Sequence, residues 1–238
     1  MPRSGSVTTS WLERSVEDPG RYTRIFAMST TFSAKSITDN GYQWQHQPAV
    51  GARVDHFALQ RWPCDSGESL EFYEQNFINN EELFTAVVSM FSCPELFTIR
   101  PSRRNPNYAY WLLPPRSKAP TCLSAVLVQF WGNGSLVRFL KHAPASTTNN
   151  GNWYFMKLGE LDDSVEFEDV EFPFGGISII DIERIGLVIF NGEALNFGFG
   201  IPDFTTQTNK LEFDADQQKR VMALVGTGPI GMHVKFRK

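Results

Sequence analysis

Four histidines, three cysteines and one dense run of carboxylates are the side chains in this chain of 238 residues best suited to chemistry. Their spacing limits what they can do. His46, His56, His142 and His233 stand singly, and no pair falls at the H-x-H or H-x-x-x-H spacing that puts two imidazoles on one metal. Cys64, Cys93 and Cys122 are far apart, with no C-x-x-C among them. An odd, sparse set of thiols suits a reducing compartment better than a disulfide framework. Residues 160–171 hold seven carboxylates in twelve positions, but without the spacing or central glycine of an EF-hand. This tract is expected to be a solvated strand edge whose charges discourage aggregation. No G-x-S-x-G elbow, phosphate-binding loop or dinucleotide fingerprint is present, so the chain is expected not to be an enzyme and to carry no cofactor.

Two stretches are basic with no acid among them. Residues 100–118 carry five cations among aromatics, including Arg100, Arg103 and Arg104. Residues 219–238 carry five more: Lys219, Arg220, Lys235, Arg237 and Lys238. Cations interleaved with Tyr and Trp suit phosphate contact with base stacking. These eight residues are therefore the candidate contacts to RNA or to neighbouring subunits. The net charge is only −4, so any nucleic-acid contact has to be local. Asn133-Gly134-Ser135 reads as a glycosylation sequon, here expected to be an unused tight turn.

These residues have to be held by a β-rich scaffold. Phenylalanine outnumbers tyrosine 20 to 6, which favours strands with large buried faces. Short β-prone runs at 123–131, 135–142, 153–158 and 177–181 alternate with Gly, Pro and Asn punctuation. Asn191-Gly192 between two such runs predicts a hairpin. Residues 54–62 read as a first strand ending at Pro63. Residues 83–91, preceded by Asn79, Asn80, Glu81 and Glu82, read as a short helix. The first 53 residues lack sustained periodicity and are expected to form an extended arm ahead of one domain over 54–238. No apolar run nears the roughly 18 residues of a membrane span, and the N-terminus has no apolar signal-peptide core.

Three segments in order carry a family resemblance. Phe130-Trp131 is followed by Gly134-Ser135 and a basic strand from Arg138 to Lys141. Glu171-Phe172-Pro173-Phe174 closes an acidic strand. Phe197-Gly198-Phe199-Gly200 runs on to Pro202. This set, spanning about a third of the chain, resembles the capsid subunits of picorna-like RNA viruses of the dicistrovirus and iflavirus type. The resemblance implies an all-β fold, an eight-stranded antiparallel jelly-roll sandwich with core aromatics such as Phe130, Phe139, Phe155, Phe197 and Phe199. It also implies assembly with related subunits into an icosahedral shell around a positive-strand RNA genome, with genomic RNA on the inner face and an unspecified host receptor outside. The virion, and the host cytoplasm during assembly, would be its location. Leu195-Asn196-Phe197 lacks the paired aspartates linked in that family to maturation cleavage, so no catalytic role is carried over.

Two other classes use similar scaffolds. A jelly-roll carbohydrate-binding module would present exposed aromatics, with Trp44, Trp111 and Trp153 as candidates, but would need no fifty-residue arm. A cupin-like metalloenzyme would need clustered histidines, which this chain does not place together in sequence.

Overall fold

The computed structural model describes residues 31–111, 123–141, 148–150, 153–161, 163–226 and 228–237. The described chain opens with α1 (Ala34–Asn40), β1 (Tyr42–His46) and α2 (Pro48–Leu59). Next come α3 (Gly67–Tyr73), which continues into a π-helical turn over Glu74–Ile78, and α4 (Glu81–Met90). Among the described residues, ten strands follow with no α-helix between them. They are β2 (Glu95–Arg103), β3 (Tyr108–Trp111), β4 (Ala125–Trp131), β5 (Ser135–Leu140), β6 (Thr148–Asn150), β7 (Trp153–Lys157), β8 (Phe167–Phe172), β9 (Gly176–Asp181), β10 (Gly186–Asn191) and β11 (Glu193–Gly200). The chain finishes with α5 (Pro202–Thr205), β12 (Leu211–Asp214), α6 (Gln218–Gly226), β13 (Gly231–Met232) and β14 (Val234–Arg237).

The helices start where a side chain satisfies their free N–H groups. Ser66 accepts from Glu68 N at 3.2 Å, and Asn80 Oδ1 accepts from Leu83 N at 3.1 Å. Pro48 opens α2 at a position where no N–H is needed. Gly41, at φ +84°, closes α1 in the left-handed conformation and donates to Ile37 O at 2.8 Å.

Two six-stranded sheets form, in the orders β1-β9-β4-β11-β2-β13 and β6-β7-β3-β10-β5-β8, with a separate parallel pair β12-β14. Consecutive strands step from one sheet to the other at β2–β3, β3–β4, β4–β5, β8–β9, β9–β10 and β10–β11. The strands therefore wind as a double-stranded β-helix. The Asn191-Gly192 turn is one of these steps. β10 pairs with β3 and β5, whereas β11 pairs with β2 and β4, so the expected hairpin is a corner between sheets.

The first sheet is covered on both faces. Val128 and Phe130 of β4, Ile179 of β9, and Leu195, Phe197 and Phe199 of β11 point at a helical layer supplied by Val54, Phe57, Leu70, Phe72, Tyr73, Phe77, Leu83 and Val221. The ring of Phe199 stacks on Phe77 at 4.5 Å, and that of Phe197 lies 5.5 Å from Tyr73. The opposite face meets the second sheet through Leu127, Trp131, Phe139, Val170, Phe172, Ile180 and Leu187. Trp131 stacks on Phe172 at 5.6 Å.

Several expectations are corrected here. The fold is not an all-β, eight-stranded antiparallel sandwich. Helices form a layer of their own, each large sheet has six strands, and the β2–β13 and β12–β14 pairings are parallel. Residues 54–62 lie mostly in a helix, because Val50, Val54 and Phe57 recur at helical spacing and bury one stripe. The 53/54 boundary therefore cuts through α2. Of the expected arm, residues 31–53 belong to the fold, and residues 1–30 lie outside the described residues. Phe139 lies between the sheets as expected, with Phe155 half-buried at the margin of that core. Phe130, Phe197 and Phe199 face the helices instead. The 83–91 helix forms as α4.

The end of α2 holds two non-glycine residues at positive φ, Arg61 (63°) and Trp62 (60°). Trp62 is buried with its ring 5.9 Å from Phe57, which offsets its strain, while Arg61 is exposed. Left-handed backbone costs a side chain about 1–2 kcal/mol, partly recovered by glycine's greater freedom when unfolded. Arg61→Gly should therefore stabilise the fold by roughly 0.5–1 kcal/mol in urea denaturation, whereas Trp62→Gly should destabilise it through lost burial.

Candidate functional site

β1 and β8 are edge strands of different sheets, and they flank the same side of the sandwich. Between them lies a cleft of ≈ 430 Å³ whose walls include Tyr42, Trp44, Lys141, Glu166, Glu168 and Arg184. Period-2 alternation aims Tyr42 and Trp44 of β1 the same way. Tyr42 stacks on Phe139 at 5.1 Å, and Trp44 meets Phe172 edge-on at 6.0 Å.

Glu168 joins the two edges. One carboxylate oxygen accepts from the Tyr42 hydroxyl, and the other accepts from Trp44 Nε1 at 3.1 Å. Burial, the bond to Glu168 and the negative charges of Glu168 and Glu166 all push the Tyr42 phenol far above its ordinary value, so it remains a neutral donor. Lys141 Nζ stands 4.0 Å from Glu166 Oε2. Arg184 donates to Thr38 O at 2.6 Å and Asp39 O at 3.1 Å, closing the α1 end of the cleft. Hydrogen-bond acceptors, cationic donors and two aromatic rings thus share one concave surface.

The rest of the acidic tract is a paired edge. Asp169 takes a two-point grip from Arg138 at 2.6 and 2.7 Å, and the same guanidinium covers the Phe167 ring at 3.8 Å. Among the described residues, no three His, Cys, Asp or Glu side chains converge in a way that would hold a metal ion. The sequon is a turn engaged elsewhere: Asn133 Nδ2 donates to Asp55 at 2.6 Å, and Ser135 is buried, donating to Gly132 O at 2.8 Å. Cys64 and Cys93 are free. Burial chiefly pushes the Cys64 thiol up to about 12, which makes it a poor nucleophile.

Seven of the eight basic candidates are described, and three of them approach residues 64–67: the charge of Arg103 reaches the Cys64 thiol, Arg220 donates to Gly67 O and Arg237 pairs with Asp65. Arg100 points inside the sandwich, where burial pulls it down to about 10 against the opposing effect of Tyr110. Arg103 is exposed at the end of β2, and Arg104 donates to Phe190 O at 2.9 Å. Lys219 and Arg220 lie on α6, where Arg220 reaches Glu74 at 3.3 Å. Lys235 pairs with Glu212. Arg237 pairs with Asp65 at 2.8 Å and Asp214 at 3.0 Å. Lys238 lies outside the described residues. Of the tryptophans considered for sugar contact, Trp44 lines the cleft and Trp111 is buried. Trp153 lies in β7, outside the residues whose side chains are described. Sequence reading missed Tyr42, Glu168 and Arg184 as partners. The residual signal was a carboxylate at every second position of 166–168, on the face opposite Phe167.

No family model matches the chain, and no curated protein does. The resemblance to viral capsid subunits therefore rests on its motifs alone. Among solved structures, the chain is similar to the crystal structure of a Pseudomonas putida prolyl-4-hydroxylase, at TM-score 0.39 and 10% identity, over 71% of this chain and 91% of that one. The expectation that the chain is not an enzyme is at odds with this neighbour, which is a hydroxylase. The likeness is too remote to bring an activity to this chain.

Glu168→Leu should strand a buried donor, Tyr42, and a half-buried one, Trp44, at once, costing about 1–3 kcal/mol in chemical denaturation. Glu168→Gln keeps an acceptor oxygen and should cost less. Both variants should bring the Tyr42 phenol down toward its ordinary range in alkaline absorbance titration, because each removes the neighbouring negative charge.

Proposed function

We propose that this chain binds a hydroxyl-rich ligand, a carbohydrate, in the cleft between β1 and β8. The observation that carries the reading is the pairing of Tyr42 and Trp44 with Glu166, Glu168, Lys141 and Arg184 around one concavity of ≈ 430 Å³. That volume falls within the usual range for small-molecule sites. A sugar hydroxyl both donates and accepts, so it suits a wall that offers carboxylate oxygens beside ammonium and guanidinium donors. Sugar rings also present C–H faces, which pack against amphipathic aromatics such as Tyr and Trp.

The feature that set the capsid reading above this one was a 53-residue arm, and residues 31–53 are part of the fold. That objection to a sugar-binding module is reduced to residues 1–30. The capsid reading also invoked a basic surface for RNA, and Arg220, Lys235 and Arg237 are already paired with carboxylates.

The test is calorimetric titration of the full chain with a panel of cello-, chito-, xylo- and malto-oligosaccharides. One class should bind saturably, and Trp44→Ala should weaken it by about tenfold or more, the loss of roughly 1.4 kcal/mol of contact. Absence of binding across the panel, or assembly of the pure chain into uniform particles, would sink the proposal.

A further inference from the structure

Behind Arg184, which lines the cleft at its α1 end, stands a buried acid that the ligand reading does not use. Asp181 ends β9 and is 2% exposed. Its backbone N–H donates to Gly41 O at 2.7 Å, directly behind the C-terminus of α1. Its Oδ1 accepts from Glu183 N at 3.0 Å, and its Oδ2 stands 4.0 Å from Arg184 Nε. The guanidinium of Arg184 in turn caps Thr38 O and Asp39 O, two of the carbonyls that the end of α1 leaves without intrahelical partners. A continuous path therefore runs from a buried carboxylate, through one arginine, to the rim of the cleft.

We propose that Asp181 and Arg184 form a proton-sensitive latch on the cleft: ionised Asp181 holds Arg184 against the end of α1, and protonated Asp181 lets it go. This regulation rests on the cleft being the ligand site. The charged groups around Asp181 are few. From its own turn come Glu183, also 2% exposed, and Arg184. From α1 comes Asp39, which is paired with Lys35 at the surface. β4 contributes only Val126 at the register position, and the Tyr42 hydroxyl of β1 is committed to Glu168.

Burial is the largest influence on Asp181 and raises it. The backbone donor at Glu183 and the charge of Arg184 oppose this, the charge of Glu183 adds to it, and the result is about 6. Because the folded value lies above the ordinary carboxylate value, ionisation strains the folded state as pH rises through this window. A single attractive contact to Arg184 at 4.0 Å then holds the charged form in place.

The experiment is side-chain ¹⁵N NMR of the full chain without ligand, from about pH 4.5 to about 7.5, with the Arg184 Nε–Hε signal assigned by Arg184→Lys. That signal should titrate with a midpoint near 6 and be flat in Asp181→Asn. A flat response in the native chain, or the same titration in Asp181→Asn, overturns the latch. If Asp181→Asn fails to fold, Arg184→Met replaces it, and the Asp181 carboxyl carbon should then titrate at higher pH than in the native chain. An unmoved midpoint there also overturns the latch. With an oligosaccharide that binds, affinity should change by about fivefold or more between pH 7.5 and 5 in the native chain only. The ligand-free titration keeps failure of the latch separate from failure of the carbohydrate reading.

Discussion

The two-sided burial of the central strands is the constraint on which everything else depends. Every residue of β4 and β9 is buried, as is every residue of β11 after Glu193. A strand exposes its side chains alternately to two faces, so this sheet cannot exist with water on either side. One face requires the second sheet, and the other requires α2, α3, α4 and α6. The cover stops at the sheet edges, where β1 and β8 run with one side open. Charged groups collect there, and the cleft forms at that margin.

Burying both faces raises the question of what fixes the register of so apolar a sheet. The inner face holds a line of polar side chains that crosses four strands. Asn196 Nδ2 donates to Ser102 Oγ at 2.9 Å, and Gln129 Nε2 donates to Asn196 Oδ1 at 3.0 Å. Ser178 donates to Gln129 Oε1 at 3.1 Å, and Trp131 Nε1 donates to Ser178 at 2.9 Å. A slip of one residue in β4 or β11 would turn Gln129 or Asn196 toward the ring layer of Phe72, Tyr73 and Phe77 and leave its amide without partners. Apolar contacts tolerate such slips, but this ladder does not. The line therefore specifies the pairing that the hydrophobic effect alone leaves open.

The sequence showed punctuation more clearly than partnership. Gly134 and Gly192 sit at positive φ where turn chemistry predicts them, and most strands lie where β-prone residues cluster. Which strands pair was not visible, because an Asn-Gly corner between sheets and an Asn-Gly hairpin within one have the same local composition. The 54–62 segment misled because its helical stripe begins at Val50, inside a stretch whose polar composition masked it. The cleft was illegible for a related reason. Tyr42 and Glu168 are 126 positions apart and meet only because the edges of two sheets close on one another. The basic stretches looked free of acids only along the chain, since the carboxylates that hold Arg220 and Arg237 come from Glu74, Asp65 and Asp214.

The phenylalanine-glycine alternation of β11 shows how far a motif can carry a function. Phe197 and Phe199 take the helix-facing positions and stack on Phe72, Tyr73 and Phe77. Gly198 takes the opposite face, where a Cβ would come within 2.4 Å of Thr98 and 2.8 Å of the Phe97 ring. A Cβ on Gly200 would lie 2.8 Å from Phe204. Large residues on one face and none on the other follow from packing helices at one distance and an inner aromatic layer at another. Any chain that wraps a β-helix around such a layer meets the same requirement, whatever it binds or builds. The alternation therefore speaks to how β11 is enclosed, and function resides in groups that packing does not demand. Glu168 is such a group. A leucine at that edge would bury more apolar surface, yet a carboxylate stands there, held by two neutral donors and turned toward the cleft.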